Sequence, residues 1–133
     1  MPGAPAHAYA RSTCSSQITQ RFIIDRLNVW QDRLNLQNWK ISIISSHRGD
    51  LRPNTLGNVH WYPNENYAII QVLDASDYQL GCRDILSDIE VTVVHELVHL
   101  ELASLPRSET SRQDEEMAVD RIAKALLALE RHR

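Results

Sequence analysis

Residues 87–103 constrain this fold more than any other stretch, because they must form a helix with two differently occupied faces. Ile89, Val93, Leu97 and Leu100 recur at three- and four-residue spacing and make an apolar stripe. His95 and His99 lie on another face, four residues apart and one turn above each other. Such a helix has to pack into a core on one side and open onto a cleft on the other. Ser87 and Glu90 have the spacing of a capping box, so the helix is expected over about 88–103.

The histidines belong to His95-Glu96-Leu97-Val98-His99, an H-E-x-x-H pattern. Two imidazoles placed this way can hold one Zn²⁺, and the glutamate beside the first can reach a water on the metal. A catalytic zinc site usually takes three protein ligands and leaves one position for water. The candidates C-terminal to the motif are Glu101, Glu109, Asp114, Glu115, Glu116, Asp120, Glu130 and His132. Glu101, two residues past His99 on the same helix, faces away. Glu116 and Asp120 share a face of the last helix, so one can ligate while the other accepts a hydrogen bond from a ligand imidazole. Glu115 is the alternative ligand. Ordinary readings compete: Glu115 and Glu116 as an acidic first turn, and Asp120 as the i,i+4 partner of Lys124.

The remaining elements surround this helix. Residues 1–15 are rich in Ala, Pro and Ser without periodicity and read as a flexible tail; 16–133 read as one domain. Ile18, Phe22, Leu27, Trp30 and Leu34 predict an amphipathic helix of about five turns. Alternation around Trp39, Ile41 and Ile43 predicts a strand, and 56–62 and 67–73 flank Pro63-Asn64-Glu65-Asn66 as a hairpin. Residues 74–86 are expected to be a connector. Ala118, Ile122, Ala125, Leu126 and Leu129 predict a final helix over roughly 112–130. The three tryptophans are expected in the core or on the sheet.

The 133 residues suffice for one hydrophobic core, with 43% hydrophobic residues and a net charge of −3. This excludes a basic nucleic-acid footprint, and no apolar run is long enough for a transmembrane helix. The N-terminus lacks the pattern of a secretory signal. Two cysteines, Cys14 and Cys82, make neither a disulfide framework nor a Cys-type zinc site, so a reduced, cytoplasmic setting is the expectation. Cys82 reads as a small connector residue. A Cys14 thiolate on the tail could occupy the open metal position and keep the site latent, against the plainer reading of an unpaired thiol. Another terminal segment in the cleft would act similarly.

His95-Glu96-x-x-His99 followed by Glu116-x-x-x-Asp120 resembles the gluzincins, the thermolysin-like zinc peptidases. The order of elements resembles their minimal single-domain form, the minigluzincins. Sixteen residues separate His99 from Glu116, a shorter linker than is usual in gluzincins. SprT-like proteases share the order but use a third histidine, which has no suitable counterpart here. The resemblance implies an α+β zincin-like domain with a backing helix, a small three-stranded sheet, an active-site helix and a glutamate helix. It implies one catalytic Zn²⁺ held by His95, His99 and Glu116, with Asp120 behind His95 and Glu96 carrying the proton. It further implies that an edge strand pairs with an extended peptide substrate. The first hairpin strand is the candidate, through Gly57, Asn58, Val59 and His60. His60, Tyr62, Tyr78 and His132 remain open as a second oxyanion donor. The expected activity is that of a metalloendopeptidase with a peptide or protein substrate. The alternatives are a weakly active or inactive zinc-binding module that holds a peptide or partner, and a protease dedicated to one regulator.

Overall fold

The computed structural model describes residues 14–106 and 109–131. Its first helix, α1 (Ser16–Arg33), begins where the Ser15 hydroxyl accepts the Ile18 amide at 3.1 Å. It ends in a Schellman motif. Asn35 takes φ 57°, Leu36 N–H reaches Gln31 O at 2.9 Å and Asn35 N–H reaches Asp32 O at 3.1 Å. Buried Leu36 completes the motif. Cys14 and Ser15, assigned above to the tail, therefore belong to the fold; residues 1–13 and His132 lie outside the described residues.

Three strands follow: β1 (Lys40–Ser46), β2 (Gly57–Tyr62) and β3 (Tyr67–Leu73). The β2–β3 hairpin forms as the Pro-Asn-Glu-Asn segment predicts, closed by a 3₁₀ turn at Pro63–Glu65 and left-handed Asn66 at φ 48°. The order is β1-β3-β2, with β1 parallel and β2 antiparallel to β3. Strand alternation sends Ala68, Ile70 and Val72 of β3 into the core. The register places Ile41 and Ile43 on one side of them and Val59 and Trp61 on the other. This three-stranded mixed sheet with three helices is the α+β architecture expected from the sequence.

Helix α2 (Cys82–Glu101) packs against α1, β2, β3 and the last helix, α3 (Glu109–Arg131). Ile89, Val93, Leu97 and Leu100 are buried as their periodicity demands. The start of α2 differs from expectation. It lies at Cys82, inside the expected connector, with Gly81 as N-cap and no side-chain capping bond. Ser87 instead accepts a hydrogen bond from Arg131 Nη2 at 3.3 Å. Glu90 Oε2 accepts from Arg26 Nε and Trp30 Nε1, both at 2.7 Å. Arg26 also reaches Glu130 at 3.2 Å, and Arg33 pairs with Glu130. One polar network thus joins all three helices, and long-range partners outweigh the local capping pattern.

The phase of α3 is also corrected. Its buried face is Val119, Ala123 and Leu127, whereas Ile122 is 43% and Leu129 68% exposed. Apolar residues occur on two adjacent stripes of this helix, and the core on its α2 side accepts the one with smaller side chains at 119 and 123.

Cys14 and Cys82 are joined by a disulfide, with Cα atoms 4.8 Å apart. This overturns both the unpaired-thiol reading and the latent-thiolate reading: the Cys14 sulfur is held at the first residue of α2, more than three turns before His95. Among the described residues no helix is long and apolar enough to cross a membrane.

Candidate metal centre and cleft

His95, Glu96 and His99 sit in the last two turns of α2, a stretch in which Glu96 through Leu100 are buried. The two imidazole centroids are 5.0 Å apart. One ligand atom from each of His95, Glu96 and His99 can be chosen so that all lie within 4.8 Å of one another. The intervening Leu97 and Val98 are buried, so the core fixes the rotation that presents both rings to the cleft.

The other half of the cluster comes from the beginning of α3. The Glu116 carboxylate bridges the two rings, with Oε2 3.2 Å from His95 Nε2 and Oε1 2.5 Å from His99 Nε2. Glu115 takes a different place. Its Oε2 lies 2.8 Å from His99 Nδ1, on the far side of the same ring. Nδ1–H donates to Glu115, which orients the ring and leaves Nε2 directed at the Glu116 side. Neighbouring acidic residues on one helix therefore meet two different nitrogens of one histidine. The sequence reading weighed them as alternatives, and Glu115 as an orienting residue was not foreseen.

Asp120 lines the same cleft, but its direct partner is Lys124 at 2.8 Å, the plainer of its two expected roles. The hydrogen bond to Lys124 is the main cause holding its carboxyl below the usual range; burial opposes it, and the charges of Lys124 and His95 add smaller contributions in the same direction as the bond. Asp120 makes no hydrogen bond to His95 in this structure; the histidine feels only its charge.

Glu96 is 6% exposed. Burial, and secondarily the Glu116 charge, push its carboxyl up to about 8 in the metal-free chain. Its surroundings include the first residue of β2. A Cβ on Gly57 would lie 2.5 Å from Thr92 Cγ2, 2.6 Å from Gln71 O and 3.6 Å from Glu96 Oε2. The absence of a side chain at residue 57 therefore lets α2 lie directly on the strand and brings Glu96 to the strand edge.

The cleft has a volume of about 800 Å³. Its walls include the cluster, Thr92, the β2 residues Gly57, Asn58, Val59, His60 and Trp61, the preceding Arg52–Leu56 segment, and Arg112. Among the described residues β2 is an edge strand, with β3 on one side only. Of the oxyanion candidates, His60 lines the cleft. Tyr62 is stacked on Tyr67 at 5.9 Å and Tyr78 donates to Asp88 at 2.6 Å; neither borders the cleft. Burial, more than this bond, raises the Tyr78 hydroxyl well above the usual phenol range. A larger groove of about 1000 Å³ lies between α1 and β1, but His95, Glu96, His99 and Glu116 do not line it.

The donor set fits a small divalent ion that accepts nitrogen and oxygen. Tetrahedral ligands about 2.1 Å from zinc lie roughly 3.4 Å from one another. The nitrogen–oxygen separations of 3.2 and 2.5 Å at Glu116 are both shorter than that spacing, the second by the most, so an ion entering here would move the Glu116 carboxylate away from His99. Comparisons of the chain with protein-family models, with curated proteins and with solved structures found no match.

Proposed function

We propose that this protein is a zinc-dependent endopeptidase of gluzincin type, acting on extended peptides or protein segments. The observation that carries this reading is the convergence of Glu116 on Nε2 of both His95 and His99, with buried Glu96 alongside. His95, His99 and Glu116 would hold the ion, and Glu115 would fix the His99 tautomer. When bound, Zn²⁺ would polarise a peptide carbonyl and make an adjacent water acidic near neutral pH.

The chain's own residues supply the rest. The outer edge of β2 offers backbone donors and acceptors to an extended substrate, aligning one peptide bond with the cluster. The Glu96 carboxylate takes a proton from the attacking water and delivers it to the leaving amine. Burial favours the neutral carboxyl in the metal-free chain; a nearby dication favours the carboxylate, so the base is charged when the site is loaded. The cytoplasmic setting expected from the sequence agrees poorly with the Cys14–Cys82 disulfide, which favours an oxidising compartment.

Zinc stoichiometry and cleavage of a quenched-fluorescence peptide library test this reading. Glu96→Gln should retain one zinc per chain and lose about 10²- to 10⁴-fold in cleavage rate, the usual contribution of a positioned general base. Glu116→Ala should weaken zinc itself. Unchanged zinc affinity in Glu116→Ala removes this residue from the ligand set. Stoichiometric zinc without cleavage of any library peptide replaces the peptidase with a zinc-binding, peptide-holding module.

A further inference from the structure

We infer that Arg52 and Arg112 form a carboxylate-recognition subsite in the cleft and select peptides bearing a negative charge close to the bond presented to the cluster. This rests on reading the cleft as a peptide groove. The two arginines reach it from unrelated elements, Arg52 from the segment before β2 and Arg112 from the start of α3. Arg112 precedes Glu116 by one helical turn, a rise of about 6 Å.

Histidines aside, Arg52 and Arg112 are the basic side chains among the described residues that line the cleft, and both are exposed. Among the described residues neither guanidinium takes part in an ion pair. Glu116 bridges the two histidines, Glu115 meets His99 and Asp120 is neutralised by Lys124. The acids of the cleft are thus engaged, while two planar, permanently charged donors face the open volume. A guanidinium matches a carboxylate with two parallel hydrogen bonds, which gives geometric selection as well as attraction. In an extended peptide the carboxylate is either an Asp or Glu side chain or the C-terminal group. Both present the same chemistry.

The test measures binding to the full chain with its disulfide intact, by fluorescence anisotropy at low and physiological salt. The probes are one labelled Ala-rich octapeptide with a central Glu or a central Gln, each as free acid and as C-terminal amide. Measurements in chelator precede those with zinc. Arg52 and Arg112 are not in the proposed ligand set, so their preference should persist without metal even if the zinc reading fails.

A carboxylate-bearing probe should bind about five- to tenfold more tightly than the Gln amide, with the difference shrinking as salt rises. Arg52→Gln and Arg112→Gln should each reduce that preference several-fold, and the double variant should abolish it with unchanged thermal stability. Preference that survives amidation assigns the acidic side chain; preference lost on amidation assigns the C-terminus. Equal binding of all four probes, no binding by any of them, or a preference intact in the double variant overturns the inference.

Discussion

Gly57→Ala is the sharpest test of how the sheet supports the candidate site. Two effects oppose each other. Alanine restricts the unfolded chain more than glycine, which stabilises a compatible site by about 0.4–1 kcal/mol. In the structure, however, the new methyl would stand 2.5 Å from Thr92 Cγ2 and 2.6 Å from Gln71 O. Non-bonded carbons prefer about 3.5–4.0 Å, so helix and strand must separate by roughly 1 Å. One obstacle is the backbone of the central strand and the other is a β-branched side chain on a buried turn, so neither yields by rotating away. Overpacking of this kind costs about 1–3 kcal/mol, and two contacts place it at the upper end. The clash wins, and the net expectation is a loss of about 2 kcal/mol. Thr92→Ser removes Cγ2 while keeping the hydroxyl that donates to Asp88 O, so it relieves one contact and leaves the carbonyl. The double variant should therefore recover about 1 kcal/mol through a favourable coupling term. Urea unfolding of the metal-free chain, with midpoints compared at constant slope, reads all four corners of the cycle. Wild-type stability in Gly57→Ala, or no coupling to Thr92→Ser, would refute the close approach of β2 to α2.

Other expectations follow from the polar groups. Glu115→Ala should leave the fold intact and weaken zinc affinity about 10- to 100-fold, because the His99 ring loses its orienting acceptor; metal-competition titration measures this. Glu90→Ala removes the acceptor of the Trp30 indole N–H and of Arg26 Nε, leaving Arg26 its Glu130 partner, and should cost about 1–2 kcal/mol in denaturant unfolding. In the metal-free chain the Glu96 carboxyl, shifted from 4.5 to about 8, favours the folded state only when protonated. Its contribution is full below pH about 4.5 and disappears as pH rises through about 8, with an upper bound of roughly 4–5 kcal/mol at about 1.4 kcal/mol per unit. Wild-type apo-protein should therefore lose stability between pH 5 and 8 relative to Glu96→Gln. Parallel profiles for the two proteins would contradict the burial argument.

What could be read from the sequence was what short-range geometry decides. The β2–β3 hairpin followed from alternation on either side of Pro63–Asn66, and the α2 core stripe from its period. The start of α2 was misjudged because Ser87 and Glu90 match a local capping pattern, whereas Glu90 serves partners 60 and 64 residues away. Gly81 carries no side chain to advertise the true cap. The phase of α3 was ambiguous because apolar residues border both sides of Val119 and Ala123. At the site, the H-E-x-x-H spacing brought His95, Glu96 and His99 to one place. The division of labour between Glu115 and Glu116 depends on how the His99 ring is turned, which no linear spacing encodes. Arg52 and Arg112 carried no pattern at all; only the fold brings them to one cleft.

The metal-ligating candidates all come from α2 and α3, and the chain between His99 and Glu116 is short. Closing so short a loop is entropically cheap, and doubling its length would add only about 0.6 kcal/mol. An ion captured early would therefore find most of its ligands within a local helical pair, before the parallel pairing of β1 with β3 has formed. Loading would then act as a fastener during folding, with metal affinity decided largely by the α2–α3 pair. The peptide groove would mature later, when β2 closes onto Thr92 and Glu96.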